Sequence, residues 1–193
     1  MMVKLLFLAG SARKDSYNKK LVKEAVVIAR ELGADVTHID LKDFPMPIYD
    51  GDLEAETGLP ENAKKLKQLF IEHAGFFIAS PEYNSSISPL LKNSLDWISR
   101  KHEKDEADLV AFKGKVAGLC ATSPGGGGGL RGLVPLRMML GNIGVIVTPS
   151  QLSIPFADKA FGENGQLVDE KQKNIFKNVV KQFVEMSNVV ARM

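Results

Sequence analysis

The chain has 193 residues, 45% of them hydrophobic, and carries 25 basic against 23 acidic side chains for a formal charge of +2. That length suits one domain spanning residues 1–193 with a full core, and the composition excludes a disordered or low-complexity chain. So even a balance, with Lys and Arg spread along the chain, argues against a polyanion-binding surface and so against nucleic acid; the single cysteine, Cys120, excludes an internal disulfide framework and fits a reducing compartment.

Val3 to Ala9 is a continuously apolar strand, the pattern of a parallel sheet covered on both faces. The opening "MMVKLLFLAGSA" has too short an apolar core for a secretory signal, and its charge lies inside the run. No stretch approaches the length of a membrane span, so a cytoplasmic protein with no membrane partner is expected. From Asn18 the pattern turns helical, with Leu21, Ala25, Ile28 and Leu32 on one face and Gly33 as the stop. Ala34 to Asp40 forms a second strand. A loop rich in Pro, Asp and Gly follows, too long for a routine connection.

Pro60 opens a helix carrying Ala63, Leu66, Phe70 and His73. Gly75 to Ser80 is a third buried strand. Ser88 and Pro89 are an N-cap and first-turn pair for a helix through Leu91, Leu95 and Ile98. The charged segment Arg100 to Asp108 reads as a solvated excursion before a fourth strand, Lys115 to Thr122. A glycine run and another helix follow, in which Pro135 marks the first turn and leaves Leu130 to Leu133 in the loop. "VIVTPSQLSI" is a fifth, edge strand, and the last helix carries Ile175, Val179, Phe183, Met186 and Val190 in one stripe. Strands alternating with helices define an α/β sandwich with a parallel sheet in the order 2-1-3-4-5.

In such a sheet ligands bind beyond the carboxyl ends of the strands, at the switch point between the first and third. Three unusual loops emerge there: Gly10 to Tyr17, Pro81 to Ser88, and Ser123 to Gly129. In the first, free N–H groups at a helix start favour an anion, and Ser11, Ser16, Asn18 and Arg13 add donors and charge. Ser16 serves equally well as a plain helix cap. The loop has neither a Walker pattern nor G-x-G-x-x-G. In the second, Tyr83 offers an aromatic face and Asn84 a planar donor and acceptor, which suits a flat heterocycle. Trp97 reads as helix packing. In the third, a side-chain-free run permits close approach of backbone to a ligand, or simple mobility. His38, His73 and His102 show no metal-ligand spacing, so no metal site is expected.

"GSARKDSYN", "PEYNSSISPLLKNSLDW" and the spacing in "GGLRGLVPLR" resemble the NADPH-dependent FMN reductase family of flavodoxin-like proteins, over roughly residues 3 to 150. The resemblance implies a flavodoxin-like three-layer sandwich and FMN as cofactor, with NADPH or NADH as donor. It places the FMN phosphate on Ser11, Arg13, Ser16 and Asn18, beside Tyr17. It puts the isoalloxazine against Pro81, Glu82, Tyr83 and Asn84, with Ser123, Pro124, Gly125 and Gly126 over its other edge. Tyr83 and Arg100 shape the substrate pocket. No catalytic side chain is implied, because a flavin carries the hydride itself. The expected activity is ping-pong transfer from NAD(P)H to a small-molecule acceptor, such as a quinone, azo compound, flavin or metal oxyanion, by a homodimer or homotetramer. A flavodoxin-type electron carrier is the alternative, disfavoured by the slightly basic charge; a phosphate-ligand module without redox function is a third reading. The long charged segment around Lys101 to Asp108 departs from the family pattern and is expected to reshape the substrate mouth or the subunit contact.

Overall fold

The computed structural model describes residues 2–193. Five strands, β1 (Lys4–Ala9), β2 (Asp35–Asp40), β3 (Gly75–Ala79), β4 (Val116–Thr122) and β5 (Ile146–Ile154), form one sheet in the order β2-β1-β3-β4-β5. Every pairing is parallel. Each strand falls within a residue or two of its expected place. The sheet is flavodoxin-like, as the order of elements implies.

The helices are α1 (Tyr17–Glu31), α2 (Gly51–Thr57), α3 (Glu61–Glu72), α4 (Pro89–Ser99), α5 (Leu130–Asn142), α6 (Ala157–Ala160) and α7 (Glu170–Val190). Alternate residues of the central strands feed two cores, because side chains alternate across a sheet. Leu5, Phe7 and Phe77 pack under α1 and α7 with Phe176 and Phe183. Leu6, Leu8, Phe76 and Ile78 pack under α3, α4 and α5 with Phe70 and Phe112. Cys120 is buried in the first core, and burial pushes its thiol well up, which leaves it an inert hydrophobe. At the outer edge the β4–β5 register shifts between Ala117 and Leu119, opposite a stretch of β5 that contains Pro149. A residue with no N–H is tolerated where the ladder is broken.

The long connection before Pro60 is ordered rather than loose. It contains α2 and sits on α4, with Trp97 Nε1 donating to Pro47 O at 2.8 Å and Tyr49 N donating to Asn93 Oδ1 at 2.7 Å. The charged segment is the solvated excursion expected, exposed at every residue from Arg100 to Asp108 but Glu106, and it is tied down at that one point. Lys67, whose side chain is 4% exposed, pairs with Glu106 and donates to Arg100 O at 2.6 Å, while Glu106 accepts from His102 N at 2.8 Å. This segment joins the far end of α4 to the start of β4, so it lies away from the carboxyl edge.

Pro135 also falls elsewhere than expected: it lies inside α5, which already begins at Leu130. The helix starts early because its first turn is held by another loop. Gly129, at φ 88°, turns the chain, and the Glu82 carboxylate accepts from Gly132 N at 3.1 Å. An acceptor with negative charge at a helix start satisfies an orphan donor and complements the dipole.

The glycine run divides in two. A Cβ on Gly128, at φ +59°, would lie 2.6 Å from Ile154 C and 2.7 Å from Pro155 N, whereas nothing approaches one on Gly127 within 4 Å. Gly128→Ala will therefore destabilise the protein by about 2–4 kcal/mol through strain and overpacking, while Gly127→Ala stays within about 0.5 kcal/mol; thermal unfolding of both variants checks the contrast.

Candidate functional site

Three strand ends, those of β1, β3 and β4, each release a loop at the carboxyl edge of the sheet, and the loops are joined by polar contacts. Ser88 Oγ caps α4 by accepting from Leu91 N at 3.2 Å, and it donates to Gly10 O at 2.5 Å. A side chain at Gly10 would be crowded: a Cβ would lie 3.0 Å from Leu91 and 3.2 Å from Pro81. The first loop is joined to the third by Asn18. Its Nδ2 donates to Thr122 O at 2.9 Å, and its Oδ1 accepts from Thr122 N at 3.1 Å. The Glu82–Gly132 contact closes the ring between the second loop and α5.

Between them lies a cleft of about 120 Å³, lined by residues of all three loops, including Ser11, Arg13, Tyr17, Pro81, Tyr83 and Ser123. Asn18, Ser16, Glu82 and Pro124 also border it. Ser16 occupies the N-cap of α1, yet its hydroxyl makes no capping hydrogen bond. Plain capping therefore does not account for this buried serine. Ser11 is also buried, its Oγ accepting from Arg13 N at 3.4 Å. Arg13 is exposed, and its guanidinium has no carboxylate partner among the described residues, only the Asp15 carbonyl at 3.4 Å.

The second loop turns sharply. Tyr83 and Ser86 exchange backbone hydrogen bonds of 2.9 and 3.0 Å, and Asn84 and Ser85 adopt φ of 51° and 64°. This two-residue turn carries Asn84 to its exposed tip, outside the residues that line the cleft. Tyr83 remains on the cleft wall, 47% exposed. The third loop is ordered: Gly128 N donates to Gly125 O at 3.1 Å, and Ala157 N to Ser123 O at 3.0 Å. Gly125 and Gly126 follow Pro124 but do not line the cleft itself.

Arg100 is not part of this site. Its Nε lies 2.9 Å from both Glu54 carboxylate oxygens, and its guanidinium packs over Tyr49. It follows α4, whose N-cap Ser88 is bonded to Gly10 at the carboxyl edge, so the helix carries Arg100 about 16 Å from that edge at 1.5 Å per residue. The sequence reading missed Thr122 as the partner of Asn18 and Glu82 as the cap of α5. Neither leaves a signal in the chain, because each joins residues 50 or more positions apart.

The fold agrees with the comparisons to known proteins. Residues 3–159 match the family model described as NADPH-dependent FMN reductase. An NADPH:quinone oxidoreductase of Arabidopsis thaliana is 32% identical over 188 residues, covering 93% of this chain and 89% of its own. An NAD(P)H-dependent FMN reductase of Pseudomonas aeruginosa is 30% identical, covering 90% of this chain and 89% of its own. The structure of FerB, a flavoenzyme NAD(P)H:(acceptor) oxidoreductase from Paracoccus denitrificans, superposes with a TM-score of 0.81 at 28% identity, covering 97% of this chain and 98% of that one.

The chain is thus an oxidoreductase of the flavodoxin-like class. It belongs to the NADPH-dependent FMN reductase family, and its cofactors are FMN and a nicotinamide dinucleotide. No helix among the described residues is long and apolar enough to cross a membrane.

The Asn18 contacts make a specific demand. Asn18→Ala leaves a buried Thr122 N–H and C=O without partners and will cost about 2–4 kcal/mol. Asn18→Asp keeps the acceptor but sets a carboxylate oxygen against the Thr122 carbonyl, and will be at least as destabilising. Chemical denaturation of the apo proteins measures both.

Proposed function

We propose that the three-loop cleft holds FMN and that the protein passes reducing equivalents from NAD(P)H to a small-molecule acceptor, most simply a quinone. The observation that carries this reading is the Ser16 hydroxyl. It is buried at a helix start yet unspent by the helix, and it stands beside Ser11 and an unpaired Arg13. Amide groups at the start of α1 add positive potential at the same point. These groups together fit a phosphate dianion.

In this reading Ser11, Arg13 and Ser16 hold the phosphate, while Asn18 acts one step back by fixing the third loop through Thr122. Pro81, Glu82 and Tyr83 form one wall for the flavin ring, with Ser123 and Pro124 opposite. Glu82 has its carboxylate turned to α5, so it offers the ring its backbone rather than its charge. Tyr17, stacked on Phe161 at 6.1 Å between centroids, closes the outer side. When bound, FMN supplies the hydride chemistry, so donor and acceptor use the open face in turn, a ping-pong cycle. The exposed Tyr83 ring orients whichever flat molecule is in place.

The active form in this proposal is a homodimer or a pair of dimers. Leu130, Val134 and Met138 form an exposed apolar stripe along α5, at 48%, 64% and 64% exposure. The stripe borders an apolar groove of about 540 Å³ containing Ile87, Pro89, Pro135, Met139 and Ile143. A second copy seated there would lie next to the second loop and help enclose the flavin ring. The α4 helix itself contributes only its first turn, since Leu91, Leu95 and Trp97 face inward.

Anaerobic stopped-flow mixing with NADPH tests the chemistry: bound flavin will bleach rapidly, and persistence of the oxidised spectrum would contradict reductase activity. Arg13→Ala will weaken FMN about 10–100-fold without lowering the melting temperature of the apo protein; equal FMN affinity in variant and parent rejects the phosphate role. Val134→Glu will shift the protein toward monomer in light scattering after size exclusion, and an unchanged mass rules out this face as the contact.

A further inference from the structure

Beside the flavin cleft lies a second, cationic one that the reading above does not use. It occupies about 210 Å³ at the β2 edge and is lined by Lys14, Lys19, Lys23, His38, Asp40 and Lys42, with Ala9 and Ile39 at its base. Lys and Arg are evenly spread along the sequence, but the fold gathers four lysines here from the first loop, α1 and the turn after β2.

One carboxylate faces them, and it is already committed. Asp40 Oδ2 pairs with Lys19 Nζ at 2.5 Å, and its Oδ1 accepts from Lys42 N at 3.0 Å. Burial alone would raise the Asp40 carboxyl, but Lys19 and Lys42 hold it below the usual range. Lys14, Lys23 and the Lys42 ammonium have no carboxylate partner among the described residues. His38 shares the cleft, held below its usual pKa by desolvation and by Lys23, Arg30 and Lys19 against the pull of Asp40.

We propose that this cleft binds a phosphate monoester dianion. Three unpaired ammonium groups around a small concavity favour a compact double charge, and ammonium groups serve as point-charge partners for phosphate. A protein of net charge +2 gains little by holding these lysines together unless something anionic joins them. Lys14 lines this cleft and its chain neighbour Arg13 lines the other, so the first loop runs between the two. The dianion then has two sources: the 2′-phosphate of the nicotinamide donor, which rests on the function proposed above, or a separate phosphorylated ligand that does not.

The test uses the full-length, FMN-loaded protein and inorganic phosphate as probe, at constant ionic strength. Phosphate will shift the His38 imidazole NMR signal saturably and raise its pKa, since a bound dianion favours the imidazolium. The exposed His102, on the far segment, will not move. In the Lys23→Gln/Lys42→Gln protein the binding will weaken about tenfold for each lysine removed. No saturable shift in the parent, or an equal one in the double variant, overturns the site. Steady-state kinetics with quinone then separates the sources. If the double variant raises KM for NADPH about tenfold or more and does not raise it for NADH, the dianion is the donor's own phosphate. If phosphate binding is lost and the two donors behave alike, a separate phosphorylated ligand uses the cleft. Both outcomes support the anion site. Flavin retention, read from absorbance, is independent: phosphate binding with no affinity for FMN sinks the flavin reading and leaves this one standing.

Discussion

The paired hydrogen bonds between the Asn18 side chain and the Thr122 backbone are the constraint on which the site depends. They join the first turn of α1 to the last residue of β4 across 104 positions of sequence. A parallel sheet brings its loops to one edge but leaves their separation undetermined. Here a buried amide with both its oxygen and its nitrogen engaged sets that separation between the first and third loops. Ser88, bonded to Gly10, does the same for the first and second. Satisfied buried polar groups of this kind add little net stability but specify one arrangement over its neighbours, because each alternative strands a donor or acceptor away from water.

With the loops fixed by Asn18, Ser88 and Glu82, the remaining polar groups are free for ligand. Ser16 stands at a helix start without capping it, and Arg13 projects without an acidic partner. The proposed division between positioning and binding side chains thus rests on which atoms are already bonded. Asn18 and Ser16 look equivalent in the loop sequence, yet one is spent on the scaffold and the other is not. The same loop separates two clefts of different character: a narrow one between β1, β3 and β4, and a lysine-lined one at β2. Both rely on the electrostatics of α1, the first on its amino end and the second on charges along its side.

The glycine run and α5 show how long-range contacts settle local ambiguity. Locally, Pro135 is a good first-turn residue and the glycines before it suggest mobility. The carboxylate of Glu82 supplies an acceptor at Gly132, so the helix begins sooner and tolerates Pro135 in its interior. Gly128 and Gly129 are needed for positive φ and close packing, whereas Gly125 and Gly127 have open space around them. Conformational freedom was legible in the composition; which residues use it was not.

The periodicity of the chain determined the five parallel strands, the five long helices and their order, because apolar alternation and helix spacing record which faces are buried. The three loops were legible for the same reason: a doubly wound sheet must deliver them to one edge. Tertiary structure alone decided that Asn18 clamps rather than projects and that Arg100 is held by Glu54 at the far end of α4. It alone decided that Lys67 anchors the charged segment and that four dispersed lysines share one cleft. Each of these is a meeting of side chains distant in sequence, and local spacing carries no information about a partner that only the folded sheet brings within reach.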